Sequence, residues 1–231
     1  MKGKFLVIDG IDGSGKGKQC ELLADRLLNK GYKVKIFDFP RYDQDSSLFV
    51  RKYLNGELGS LSEVDAYQAS CFFALDRFCA KKDMERYLNE GFIILSNRYV
   101  SANKIHQSSK ITDSVELEKF LDWLDDFEFE KLKVPRPDKV IFLDVPWEIG
   151  QKLILKKDAK SRVYAKGKVK DLHEADDNFM ESSYARAVSL CDKYDSWKRI
   201  QCFDDNRDIL SISNIHESVY EYVMQIIDDK P

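Results

Sequence analysis

The chain has no apolar run long enough to span a bilayer, and because Met1-Lys-Gly-Lys4 leads straight into the first strand-like segment, no signal peptide is expected. It has no surplus of positive charge either. Its 37 Lys and Arg against 40 Asp and Glu give a formal net charge of −3, which argues against a broad attraction to nucleic acid or to an anionic membrane. Neither is therefore expected as a partner, and residues that bind phosphate should be concentrated locally. The five cysteines, Cys20, Cys71, Cys79, Cys191 and Cys202, show no C-x-x-C spacing. An odd number without a framework predicts free thiols in a reducing compartment, hence a cytoplasmic chain. Internal repeats and low-complexity linkers are missing as well. With 231 residues and an ordinary composition, one domain over residues 1–231 with a mobile appendage is expected.

What is present begins at residues 10–17, Gly-Ile-Asp-Gly-Ser-Gly-Lys-Gly. They follow the apolar run Phe5-Leu-Val-Ile8 and precede a helical pattern containing Cys20, Leu22, Leu23, Leu27 and Leu28. This is the G-x-x-x-x-G-K signature between a strand and a helix. Without Cβ atoms, Gly10, Gly13 and Gly15 let successive N–H groups point into one concavity. The helix N-terminus adds partial positive charge, and Lys16 adds a full one that can reach outer phosphates. The alternative, a glycine-rich turn that binds nothing, is disfavoured by the strand-loop-helix context. The Ser or Thr that usually holds magnesium after the lysine is missing; Gly17 and Lys18 stand there instead.

Strand-like segments recur at Phe5 to Asp9, Val34 to Phe39, Phe92 to Asn97, Val140 to Asp144 and, more weakly, Arg199 to Phe203. Their continuous apolar runs fit strands covered on both faces. With helices between them they predict an α/β fold of the P-loop kind: three α/β/α layers around a five-stranded parallel sheet, with the ligand at the strands' C-terminal edge. The helical segment from Leu61 to Ala80 is apolar around much of its circumference, so either a second subunit or the monomer's own interior covers its far side. Between Ile111 and Leu132, the carboxylates Asp122, Asp125, Asp126, Glu128 and Glu130 read as a solvated helix face with no site. From Lys156 to Lys170, seven cations (Lys156, Lys157, Lys160, Arg162, Lys166, Lys168 and Lys170) cluster with little apolar content. A solvated loop is the plain reading; the phosphate loop favours a basic lid, about residues 156–172, that closes over polyphosphate.

The chain resembles the thymidylate kinases, of the nucleoside monophosphate kinase group. The resemblance rests on the phosphate loop, Phe39-Pro-Arg-Tyr42, Leu54-Asn-Gly-Glu-Leu-Gly59, Phe73-Ala-Leu-Asp-Arg77, Asn97-Arg-Tyr-Val-Ser-Ala-Asn103 and the basic lid with Asp171 and Glu174 behind it, in this order. It implies transfer of the terminal phosphoryl group of ATP to thymidine monophosphate (dTMP), with Mg2+ as cofactor, in a homodimer. It also implies that Gly10, Gly13, Ser14, Gly15, Lys16, Gly17 and Lys18 hold the ATP phosphates. The dTMP site would be Asp12, Phe39, Tyr42, Phe73, Arg77, Arg98, Asn103, His106 and Gln107. Phe73 offers a face for the base, with a core aromatic as its alternative. Arg77, at i+4, could donate to a base carbonyl, or be a paired core ion. Asn103 suits the thymine edge, Tyr42 would reach the monophosphate, and Asp12 would accept from the sugar 3′-hydroxyl. Arg98, at the end of a central strand, could span two phosphate oxygens, or form a salt bridge.

Phosphoryl transfer needs alignment and positive charge more than covalent help. Some family members carry an arginine in the phosphate loop; this one does not, so the duty falls on the lid, with Arg162 first and Lys160 or Lys166 behind it. The catalytic set is then Lys16, Arg98 and Arg162, and the metal is expected at Asp9 and Glu174. Three departures stand out. Gly17 follows the lysine, as it does in adenylate kinases; Asn97 replaces a usual aspartate; His106 replaces a usual aromatic near the sugar 2′ carbon. A hydrophobic pocket reads the thymine methyl with only ~1–3 kcal/mol, so deoxyuridine monophosphate is expected as a slower substrate. Two other readings stay open: a kinase for another nucleotide or a nucleoside, and a nucleotide-binding switch without catalysis.

Overall fold

The computed structural model describes residues 3–155, 172–173 and 176–228. They alternate strand and helix: β1 (Lys4–Asp9), α1 (Lys16–Asn29), β2 (Val34–Asp38), α2 (Leu48–Leu54), α3 (Ala66–Asn89), β3 (Ile93–Asn97), α4 (Val100–Ala102), α5 (Ser114–Asp125), β4 (Lys139–Asp144), α6 (Trp147–Leu155), α7 (Asp177–Lys193), β5 (Trp197–Gln201) and α8 (Ile212–Asp228). The strands form a five-stranded sheet in the order β2-β3-β1-β4-β5, every pairing parallel. The predicted α/β architecture is therefore observed. The fifth strand lies two residues earlier than expected, because buried Trp197 starts the pairing opposite Val140.

The two layers of helices follow from the period-two alternation of β1. Phe5 and Val7 face a core shared with Met84 of α3, Phe120 and Leu124 of α5 and Leu190 of α7. Leu6 and Ile8 face the opposite core, with Leu23 and Leu27 of α1 and Val219 and Val223 of α8. Each such side chain contributes about 1.5–3 kcal/mol when fully buried. With both faces covered, the free part of the sheet is its C-terminal edge. All five cysteines are unbridged, as expected, and no helix among the described residues is long and apolar enough to cross a membrane.

The helix expected from Leu61 to Ala80 begins later and runs further. Asp65 caps it: its carboxylate accepts from Gln68 N at 2.7 Å while the Gln68 side chain accepts from Asp65 N at 3.1 Å. This reciprocal cap fixes the start at Ala66. One side of α3 is buried through Ala69, Ala74, Ala80 and Met84. On the outer side Leu75 and Phe78 are exposed beside Leu48 and Phe49 of α2, with the Phe49 and Phe72 rings stacked at 6.1 Å.

The acidic run after α5 corrects its expected reading. The chain widens into a π-helical turn at Asp126–Lys131, and this turns Glu128 inward, where it is fully buried. A wide turn shifts the phase of every following side chain, so helical spacing alone misplaces Glu128. Its two oxygens accept from Arg77 Nε at 2.6 Å and Nη2 at 2.5 Å. Arg77, 2% exposed, also donates to the Tyr99 carbonyl at 3.3 Å. Burial raises the Glu128 carboxyl's pKa, against the pull of the Arg77 guanidinium.

Removing one partner strands the other's charge inside the protein, which typically costs ~3–5 kcal/mol. Glu128→Ala is expected to lower stability in urea unfolding by about that amount, and adding Arg77→Met to the same chain should recover part of it. A Glu128→Ala midpoint equal to wild type would show that the pair does not hold α3 to this turn.

Candidate functional site

Four of the strands end in Asp or Asn at the free edge: Asp9, Asp38, Asn97 and Asp144. Asp38 and Asn97 line a cavity of about 390 Å³. One end is made by the phosphate loop, with Asp12, Gly13, Gly15, Lys16, Gly17 and Lys18 on its wall. The other end is aromatic and amidic: Phe39, Tyr42, Phe73, Asn103, His106 and Gln107. Arg98 lines the space between them.

The loop's shape follows from its contacts. Gly13 sits at φ 84°, and a Cβ there would fall 2.2 Å from the Gly150 carbonyl oxygen, so only glycine lets the loop lie against α6. Lys16 is 7% exposed and folds back to donate from Nζ to the Ile11 carbonyl at 2.7 Å. Gly10 and Ser14, expected to bind phosphate, lie beneath the wall: a Cβ on Gly10 would come 2.6 Å from Ser14 Oγ. Asp9 is also turned inward. Its carboxylate accepts from Gly10 N at 2.8 Å and from Ser101 Oγ, and it does not line the cavity. The structure thus places this expected metal ligand behind the loop.

Arg98 has φ 64°, a left-handed conformation that non-glycine residues rarely adopt. Its N–H donates to the Ile8 carbonyl at 3.0 Å, and its own carbonyl accepts from Ser96 Oγ at 2.6 Å. These bonds to β1 and β3 hold the backbone there and send the guanidinium across the loop mouth. Nη2 donates to Asp12 and Nη1 to His106 Nε2, the latter at 2.7 Å. Burial would raise the Asp12 carboxyl, but Arg98, then Lys16, hold it well below the usual carboxylate range. An arginine only donates, so His106 Nε2 accepts and its proton sits on Nδ1, which has no partner among the described residues. Burial and the Arg98 charge push the His106 pKa well down, keeping the ring neutral.

The aromatic and amidic end is built on a second π-helical turn, Asn103–Gln107, which continues α4. Asn103 Nδ2 donates to the Ser70 carbonyl at 3.2 Å and to Glu128 Oε1 at 3.3 Å. Arg77 is not on the wall; Glu128 stands between it and Asn103. Tyr42 and Phe39 are carried by a segment clamped to α3, where Arg41 N and Nε donate to the Asp76 carboxylate at 2.8 and 3.1 Å. His173 closes the cavity from the far side: Nε2 bonds Tyr53 Oη at 3.1 Å and its ring lies 4.7 Å from Phe179 and 5.9 Å from His106. Arg162, Lys160, Lys166 and Glu174 lie outside the described residues.

Three residues here escaped the sequence reading: Asp38, Asp76 and His173. Asp38 lies inside the strand expected from Val34 to Phe39; the structure ends that strand at Asp38, as β1 and β4 end at Asp9 and Asp144. One Asp38 oxygen accepts from Asn97 Nδ2 at 2.7 Å, while Asn97 Oδ1 is buried with no partner among the described residues. A Cβ built on Gly17 would meet only that Nδ2, at 3.7 Å.

Burial lowers the His173 pKa from 6.5 to about 3. The unfolded chain takes up that proton near pH 6.5, whereas the folded one refuses it until about pH 3. Acidification through this window therefore favours unfolding. Thermal unfolding followed by circular dichroism should show the melting temperature falling as pH drops below 6.5, and falling less steeply in His173→Phe. Identical slopes would mean that His173 is not held neutral.

Comparison with known proteins matches the description Thymidylate kinase over residues 8–203. A probable thymidylate kinase of Pyrococcus horikoshii is 33% identical over 147 residues, covering 63% of this chain and 67% of its own. The thymidylate kinase of Mycobacterium tuberculosis H37Rv is 29% identical over 147 residues, covering 63% and 68%. Among solved structures, a thymidylate kinase from Candida albicans superposes with a TM-score of 0.73 at 17% identity, over 99% of this chain and 94% of that one. At that identity the superposition speaks for the fold.

Proposed function

This chain belongs to the thymidylate kinase family and is a phosphotransferase, and we propose that its two cavity ends hold ATP and thymidine monophosphate with their phosphates meeting between Lys16 and Arg98. The observation that carries this is the continuity of one cavity from the phosphate loop, past Arg98, to a pocket of aromatic and amide side chains.

At the donor end, loop N–H groups, the α1 N-terminus and Lys16 bind the ATP phosphates. At the acceptor end, Phe73 faces the thymine while Asn103 and Gln107 offer amides to its edge. Arg98 turns part of its fork to the 5′-phosphate. Asp12, kept ionised beside it, accepts from the sugar hydroxyl. Aligning the two phosphates is worth several kcal/mol of barrier, on the order of 7–11 for well-oriented pairs. Arg162, with Lys160 and Lys166, supplies the remaining positive charge from the lid, which also excludes water. The diphosphate formed is the precursor of thymidine triphosphate.

Magnesium fits the loop mouth. Asn97 Oδ1 is a hard oxygen, buried beside it with no partner among the described residues, and the space over Gly17 reaches the amide at Nδ2. Asn97 would hold the hydrated ion by that oxygen. When bound, the ion draws charge from the phosphate oxygens. A second copy of the chain covers the exposed face of Leu48, Phe49, Leu75 and Phe78, giving a homodimer.

With ATP and magnesium, ADP release should be fast with thymidine monophosphate and absent with thymidine; the reverse order overturns the assignment. Lys16→Ala should lower kcat about 10²-fold or more. Arg162→Ala should lower kcat far more than it raises KM, and an unchanged kcat removes Arg162 from the mechanism. For the dimer, Phe78→Glu is expected to sediment as a monomer where wild type sediments as two copies.

A further inference from the structure

We propose that Asp38 is the carboxylate that anchors the nucleotide-bound magnesium ion in this chain. The inference rests on the kinase reading and assigns a residue that the phosphate-loop signature does not contain. Two carboxylates line the cavity among the described residues, Asp12 and Asp38. One Asp12 oxygen is held by Arg98, and the proposed acceptor site uses the carboxylate for the sugar hydroxyl. Asp9 is buried behind the loop with Gly10 and Ser101 on its oxygens. Asp38 is solvent-accessible, and it lies within electrostatic reach of both Lys16 and Arg98.

Sheet register places it. Asp38 pairs with Asn97 across the β2–β3 ladder, and Asn97 pairs with Ile8 on β1, just before the phosphate loop. The 2.7 Å bond from Asn97 Nδ2 holds one Asp38 oxygen and commits the amide's donor side to it. The amide's acceptor, Oδ1, is left without a donor among the described residues. That oxygen is buried, so a small turn of the amide is what would bring it to a water in the shell of a cation. Gly17 leaves this corner open: the nearest atom to a Cβ placed there is Asn97 Nδ2, at 3.7 Å. Magnesium keeps several waters and takes one or two carboxylates beside the nucleotide phosphates. Asp38 thus brings a carboxylate to this corner one strand over from Asn97, and the room that a side chain at residue 17 would fill is open to water.

The test uses Mn2+ as probe, with the free-ion paramagnetic resonance signal as readout. In the presence of ADP, Asp38→Asn should weaken Mn2+ binding by about tenfold or more, while ADP binding in EDTA is unchanged or tighter. Asp38→Asn with Asn97→Asp, which moves the carboxylate across the ladder, should restore most of the Mn2+ affinity. Independently, Asn97→Asp alone sets two carboxylates side by side. Its metal-free melting temperature should fall, and Mn2+ with ADP should raise it by more than in wild type. Wild-type Mn2+ affinity in Asp38→Asn, or an equal thermal gain in Asn97→Asp, overturns the anchor. The kinase reading fails separately: wild-type protein that binds Mn2+ and ADP normally yet leaves thymidine monophosphate untouched sinks that reading and spares the anchor.

Discussion

The contact between Arg98 and Asp12 ties the end of β3 to the phosphate loop and places a fixed positive charge at the middle of the cavity. Much else depends on it. A guanidinium in a left-handed backbone, pinned by Ile8 and Ser96, cannot drift along the sheet edge. The same charge keeps Asp12 ionised against its burial, inside a loop built to attract anions, while burial first and the Arg98 charge second keep His106 neutral. Two neighbours of opposite character thus flank one side chain: an acceptor that stays charged and a ring that stays uncharged.

Behind the cavity lies a second ion pair of a different kind. Arg77 and Glu128 are both buried and share their hydrogen bonds with Tyr99 and Asn103. Such a pair contributes little net stability compared with an apolar pair of the same size, but it fixes geometry. Here it determines where Asn103 sits on the acceptor wall. Of the two readings open for Arg77, a donor to a base carbonyl or a paired core ion, the side chain is found paired with Glu128 in the interior. The clamp of Arg41 on Asp76 likewise holds the segment bearing Phe39 and Tyr42.

Local signals were legible. The phosphate loop is a short pattern with a mechanical reason for each glycine, and the β-α alternation follows from apolar runs that need cover on both faces. Arg98, Asn103, His106 and Gln107 fall on the cavity because they follow a central strand. What was hidden depended on pairing across the sheet or on helix phase. Asp38 meets Asn97 through strand register, which no single segment encodes. Glu128 was masked by a π-helical turn that breaks the spacing used to place it outside. His173 sits beyond a charged stretch whose composition says nothing about its neighbour.

The contact of Gly13 with Gly150 ties the nucleotide-binding end to the segment that follows. Two backbones touch there without an intervening side chain: a methyl on Gly150 would likewise fall 2.6 Å from the Asp12 carbonyl oxygen. Such a junction has no soft element to absorb displacement. A side chain at either position would push the two backbones apart, so the loop's shape and the placement of α6 are set together by two residues that have none.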